Sequence, residues 1–258
     1  MQLIKATPEW QKIRKQLPLK SIGFVPTMGC LHAGHQSLLE RARQENEISV
    51  LSIFVNPTQF NNAEDLAKYP VTLEQDLALA ENAAVDYVLM PSYAELYPDH
   101  YHYRVSEDKL SKLMEGYFRP GHFDGVLTVV LKLLNWVQPT RAYFGKKDYQ
   151  QYLLIKGMVE AFLLDIEIIP CDTIRAETKL ALSSRNQRLT PEQQQQAALL
   201  AHELSQTYSL EIIREKLKQH GFEVEYIEEY AGRRFAAAWF HGVRLIDNVE
   251  VASCSFQL

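Results

Sequence analysis

A chain of 258 residues, 47% hydrophobic and 23% charged, is long enough to bury a sizeable core. Its formal net charge of −5, from 27 basic against 32 acidic side chains, leaves no basic surplus for a nucleic-acid partner. No run is long and apolar enough to cross a bilayer, and Met1-Gln2-Leu3-Ile4-Lys5 opens no apolar leader, so a cytoplasmic chain without a membrane partner is expected. Cys30, Cys171 and Cys254 are widely spaced, which fits reduced thiols.

In chain order, Ser21-Ile22-Gly23-Phe24-Val25 reads as a short apolar strand stopped by Pro26, and Leu38, Leu39 and Ala42 recur at helical spacing. Pro26-Thr27-Met28-Gly29-Cys30-Leu31-His32-Ala33-Gly34-His35 therefore lies at a strand-to-helix turn. A helix start has unpaired N–H groups and a partial positive charge, and so welcomes an anion. His32 and His35, three apart, share one face of that turn, and Gly29 and Gly34 let a nucleotide approach the backbone. Three readings fit the pair: ordinary polar residues at a helix start, metal ligands lacking a near third, or donors to a phosphate.

Ile48 to Val55 is an almost unbroken apolar run, as a parallel strand covered on both faces requires, and Asn56-Pro57 ends it. Leu73 to Ala84 has helical period, and Val85 to Met90 forms a third strand before Pro91. A helix over Gly125 to Val137, a strand over Arg141 to Phe144, a helix over Tyr149 to Leu164 and a strand over Ile166 to Ile169 continue the alternation. This predicts a doubly wound, Rossmann-like α/β sheet with ligands at the carboxyl ends of its strands, at residues 26–35, 56–60 and 145–148.

The pattern changes after about residue 180. Thr190, Pro191 and Gln193 supply an N-cap, N1 and N3, so a helix starts there with glutamines 193–196 on its solvated face. A second helix, Leu210 to His220, ends at Gly221, and strands follow at Phe222 to Glu228, Phe235 to Phe240 and Val243 to Ile246. A smaller α+β C-terminal domain is expected, with divisions at 1–178 and 179–258.

His-x-Gly-His after a strand resembles the nucleotidylyltransferase superfamily. Further stretches make the resemblance specific: Ser52-Ile53-Phe54-Val55-Asn56-Pro57-Thr58-Gln59-Phe60, Arg119-Pro120-Gly121-His122-Phe123-Asp124-Gly125-Val126, Tyr143-Phe144-Gly145-Lys146-Lys147-Asp148-Tyr149-Gln150-Gln151, and Leu182-Ser183-Ser184-Arg185-Asn186. In this order they resemble the pantothenate synthetase (pantoate–β-alanine ligase) family from about Lys20 to Leu189, with a fainter echo in Arg244-Leu245-Ile246-Asp247-Asn248.

The resemblance implies an ATP-dependent, AMP-forming ligase. The carboxylate of (R)-pantoate attacks the ATP α-phosphate to give pantoyl adenylate and pyrophosphate, and β-alanine then displaces AMP to give pantothenate. It implies ATP with Mg²⁺, a homodimer, a catalytic domain binding ATP and pantoate, and a C-terminal domain carrying the phosphate-binding Ser-Ser-Arg loop. It places ATP against Met28, Gly29, Cys30, Leu31, His32, Ala33, Gly34, His35, Gly145, Lys146, Lys147, Asp148, Ile174, Leu182, Ser183, Ser184 and Arg185. His35, His32 and Lys147 are its catalytic set, a protonated imidazole giving phosphate a charge-assisted bond. Gln59 and Gln151 take pantoate, and Gln59 also meets β-alanine. The metal ligands stay unassigned: Asp76 fits either a water-mediated contact to Mg²⁺ or a solvated helix face. Arg119 and His122 fit either a functional role or a rigid turn. Another small carboxylic acid as substrate, or a non-catalytic nucleotide-binding relative, remains open.

Three places depart from the family pattern. Arg175-Ala176-Glu177-Thr178-Lys179-Leu180-Ala181 lacks an acid, the aspartate and the glycine usual there, so an altered turn is expected where Lys179 replaces a residue free to take positive φ. Val71 stands for an arginine, and Lys146 for a glutamate.

Overall fold

The structure, a computed structural model, describes residues 1–17 and 19–251; Cys254 lies outside the described residues. The chain divides into two compact units, Met1–Lys146 with Gln150–Asp172, and Lys147–Tyr149 with Thr173–Leu258.

The first unit is built on a six-stranded parallel sheet of β1 (Gln2–Ile4), β2 (Ile22–Thr27), β3 (Ile48–Ile53), β4 (Tyr87–Leu89), β5 (Arg141–Gly145) and β6 (Glu167–Cys171), in the order β1-β4-β3-β2-β5-β6. The strand order reverses at β2, which pairs with β3 on one side and β5 on the other. Ligand crevices of doubly wound sheets form outside the carboxyl ends of strands at such a switch point. On one face, Val25, Leu51, Val88 and Tyr143 pack with Leu38, Leu39 and Ala42 of the helix Ala33–Glu45 and Ala80 of the helix Leu73–Asn82. Val126, Val130, Leu133, Leu134 and Val137 are buried along the helix His122–Val137.

Local physics accounts for three differences from the sequence reading. Pro26 lies inside β2 rather than stopping it. The carbonyl of Thr27 faces β3, where it accepts Phe54 N–H, so its neighbour Pro26 faces β5, and that pairing ends at Phe24. No ladder bond is lost. The helix read from Gly125 begins at His122, because Gly121 at φ 79° turns the chain into it. At the amino end, β1 and the helix Thr7–Lys15 join the sheet and bury Ile4 and Trp10.

The second unit carries an antiparallel sheet, β7 (Glu223–Tyr230), β8 (Arg233–Phe240) and β9 (Val243–Glu250). The helices Pro191–Ala197, Leu199–Leu204 and Leu210–Gln219 share a core with one face of it, built from Leu200, Leu204, Ile213, Leu217, Ala236, Ala238 and Phe240. Thr190 and Gln193 form the expected capping box. Residues 173–178 belong to this unit, where Arg175 pairs with Asp247. Among the described residues, no helix is long and apolar enough to cross a membrane.

Candidate active site

The loop after β2 is shaped by its own backbone demands. Gly29 at φ 79° and Cys30 at φ 51° are both left-handed, which turns the chain from strand to helix within a few residues. Asp76, 2% exposed, holds the turn: its Oδ2 accepts Cys30 N–H at 2.9 Å and its Oδ1 accepts Leu31 N–H at 2.7 Å. Thr72 Oγ1 also donates to Oδ1 at 3.0 Å. Held by these three donors, Asp76 is a buried residue that shapes the turn rather than a solvated helix residue.

His32 is the N-cap of the helix Ala33–Glu45 and His35 its N3 residue. His32 Nδ1 accepts Gly34 N–H at 3.1 Å, and His35 Nδ1 accepts His32 N–H at 3.3 Å. A backbone N–H only donates, so both Nδ1 atoms serve as acceptors in this arrangement. The two imidazoles are thereby held in place at the helix start by the backbone they cap. The rings lie 4.1 Å apart, centroid to centroid. A Cβ at Gly34 would approach His32 Cε1 to 2.8 Å, so this glycine first makes room for the imidazole.

At the end of β3, Asn56 organises Gln59. Asn56, 1% exposed, accepts the Tyr97 hydroxyl at 2.9 Å and Thr58 N–H at 3.4 Å on Oδ1. Its Nδ2 donates to Gly125 carbonyl at 3.2 Å and to Gln59 Oε1 at 3.0 Å. That leaves Gln59 Nε2 toward Met28 Sδ, at 3.3 Å. Burial pushes the Tyr97 hydroxyl up to about 12, so it stays a donor at neutral pH. Arg119 and His122 both reach the Gln59 carbonyl, at 3.4 and 2.9 Å, and lie 3.2 Å from each other. The Arg-Pro-Gly-His turn is thus tied to the backbone of Gln59.

Gln151 is half-buried on the helix Tyr149–Ala161. Its neighbour Gln150, 3% exposed, accepts Glu115 N–H and donates to the Leu110 and Leu113 carbonyls. Gly145 closes β5, and a Cβ there would meet nothing within 4 Å beyond its own chain neighbours. Lys146 pairs with Asp172 at 2.7 Å.

In the second unit, Lys147, Ser183, Arg185, Asn186, Arg244 and Asp247 are among the residues lining one cleft. Lys147 Nζ lies 3.6 Å from Asp148. Ser183 caps the short 3-10 helix Ser184–Arg188, its Oγ accepting Arg185 N–H at 3.3 Å, and Asn186 Nδ2 holds the Ala181 carbonyl at 2.9 Å. Ile174 accepts Leu182 N–H at 3.0 Å, which sets the base of the loop. The preceding hairpin closes through Ala176 and Leu180, with Lys179 at φ 75°. Lysine therefore takes the left-handed conformation itself. Val71 is 78% exposed, which leaves its substitution without a packing consequence.

Sequence reasoning misses Asn56, Tyr97 and Gln150, whose partners come from distant segments. The polar residue ending an apolar run at Asn56-Pro57 is the available signal. Among the described residues, no group of three or more His, Cys, Asp or Glu side chains is placed to hold a metal.

The family model described as pantoate-beta-alanine ligase matches residues 2–250. Pantothenate synthetase of Coxiella burnetii (strain Dugway 5J108-111) is 54% identical over 250 residues, covering 97% of each chain. That of Bdellovibrio bacteriovorus is 50% identical over 97% of this chain and 99% of its own. Among solved structures, a pantoate-beta-alanine ligase from Francisella tularensis, complexed with beta-gamma ATP and beta-alanine, superposes with a TM-score of 0.92 at 41% identity, covering 97% of each chain. Pantothenate synthetase from Thermus thermophilus superposes at 0.89 with 42% identity, over 97% of this chain and 99% of its own. The chain belongs to the pantoate–β-alanine ligase family.

Proposed function

We infer that this chain joins (R)-pantoate to β-alanine at the expense of ATP, through a pantoyl adenylate, as a member of the nucleotidylyltransferase superfamily. The observation that supports this reading is the capping box of His32 and His35, which holds both imidazoles at a helix start at the switch point of the sheet. Negative charge builds on the α-phosphoryl oxygens as the pantoate carboxylate attacks. Preorganised donors and cations aimed at that charge are worth most, because they need not reorganise as the reaction proceeds.

In the first unit, His35 donates to a phosphate oxygen in the transition state, with His32 beside it. The backbone from Met28 to Leu31 faces the nucleotide, and the uncrowded backbone at Gly145 supports its close approach. Gln59 and Gln151 hold pantoate, and Gln59 meets β-alanine at the second step. In the second unit, Lys147 brings fixed charge to the α- or β-phosphate, Ser183, Ser184 and Arg185 follow the phosphates as they separate, and Ile174 meets the adenine. Magnesium belongs to this reading as the counter-ion of the nucleotide. Asp76 serves the nucleotide loop in this reading. A homodimer in the cytoplasm completes the reading.

Incubation of the full chain with ATP, pantoate and β-alanine tests it by mass detection of products. Pantothenate and AMP in equal amounts are expected; folded protein that makes neither, or that makes AMP without pantoate, overturns it.

A further inference from the structure

The Arg244-Leu245-Ile246-Asp247-Asn248 stretch has no part in the chemistry above, yet two of its residues are nearly sealed from solvent, Asp247 at 4% and Asn248 at 3%. Neighbours on a strand point to opposite faces. In β9 that alternation lets adjacent side chains hold two different segments.

On one face, Asp247 takes a two-pronged bond from Arg175, at 2.6 Å to Oδ2 and 2.8 Å to Oδ1. Arg175 also donates to the Lys179 carbonyl at 3.1 Å, so the same guanidinium closes the hairpin that leads into Ser183–Arg185. On the other face, Asn248 Oδ1 accepts Arg233 Nε at 2.6 Å while its Nδ2 donates to the backbone carbonyl of Lys147 at 2.8 Å. A guanidinium only donates and a carbonyl only accepts, so the direction of this amide is fixed by its partners. Arg233 in turn lies over the Tyr149 ring, 4.6 Å from its centroid, and Tyr149 packs against Phe235 at 6.2 Å. Residues 147–149 are thereby built into the second unit.

We propose that Asn248 is a positioning residue for Lys147, and that Asp247 does the same for the Ser183–Arg185 loop, so that this dipeptide aligns the phosphate-binding cations of the second unit. The proposal rests on the reading of Lys147 as the lysine that meets the phosphates. The lysine side chain sits on a backbone tethered by Asn248 across 101 residues of sequence. A shift of that backbone by a fraction of an ångström moves the ammonium away from the charge it stabilises, and misplacements of about 1 Å cost about 100-fold in rate.

The test is a kinetic cycle on the full chain with Asn248→Asp, Lys147→Ala and the double variant. Asn248→Asp keeps the size of the side chain and the acceptor for Arg233, but sets a carboxylate oxygen against the Lys147 carbonyl. It should lower kcat about 10–100-fold, change the pantoate KM less than about threefold, and leave the melting temperature within a few degrees. If Asn248 acts through Lys147, the double variant is no slower than Lys147→Ala alone; a merely structural residue gives losses that multiply. Asn248→Ala repeats the cycle without a new buried charge and secures the answer if Asn248→Asp does not fold. Multiplied losses, or wild-type kcat in both Asn248 variants, overturn the proposal while leaving Lys147 in place. Wild-type turnover in Lys147→Ala overturns the reading of the lysine itself, and the proposal with it.

Discussion

His32 and His35 form one capping box: each spends Nδ1 on a backbone N–H of the same helix start. His35→Ala should fold and lower kcat about 10²–10⁴-fold, the usual cost of losing one preorganised donor or acid. His35→Asn separates the two roles, because its Oδ1 can replace Nδ1 in the cap while nothing replaces Nε2. It should melt close to the wild type and turn over as slowly as His35→Ala. Wild-type turnover in either variant removes His35 from the chemistry.

Asp76→Asn should loosen the nucleotide loop. One of the two N–H groups now held by the carboxylate would face an amide nitrogen, at about 1–3 kcal/mol for an unsatisfied buried donor. Urea unfolding should show that loss, and the KM for ATP should rise more than the KM for β-alanine. Unchanged unfolding and an unchanged ATP KM would mean that the carboxylate does not hold the turn.

Lys179→Gly should stabilise the protein. A side chain at φ 75° sets Cβ against the carbonyl oxygen at about 1–2 kcal/mol, and glycine gives back part of that gain in chain entropy. A net gain of up to about 1 kcal/mol corresponds to a melting temperature higher by about 2–4 °C in a chain of this size. A lower melting temperature by calorimetry would show that Lys179 contributes contacts outweighing the strain.

Asp99 should report on acid stability. Tyr103 N–H and then the Lys132 ammonium hold its carboxyl down at about 2. A folded-state value below the ordinary aspartate range stabilises the fold above about pH 4 and loses that contribution as pH falls toward about 2. Asp99→Asn lacks this contribution at every pH. The gap between wild-type and variant denaturation midpoints should therefore close between about pH 4 and pH 2; a gap constant across that range would contradict it.

Much of the first unit is legible because its strands announce themselves. Ile48 to Ile53 is an apolar run in a strand buried on both sides, and in the second unit Thr190-Pro191-Glu192-Gln193 spells its own cap. The short edge strand Gln2–Ile4 buries one of its three residues, Ile4, and so carries no period to read. At the site, residue types and local spacing point to the histidine turn, because both caps are made within four residues. The role of Asp76 is not legible, because its partners, Cys30 and Leu31, lie some 45 residues away and are backbone groups that any sequence would supply. Asn56 and Tyr97, 41 apart, meet only through the fold. Nothing local tells that residues 147–149 join the second unit, since the tether is Asn248.

Activation of pantoate before β-alanine arrives is the step on which the proposed chemistry stands or falls, and exchange of labelled pyrophosphate into ATP measures that step alone. With ATP and pantoate but no β-alanine, label should enter ATP, and omission of pantoate should abolish the exchange. Folded protein that gives no pantoate-dependent exchange would contradict the pantoyl adenylate route and the roles assigned here to His35 and Lys147.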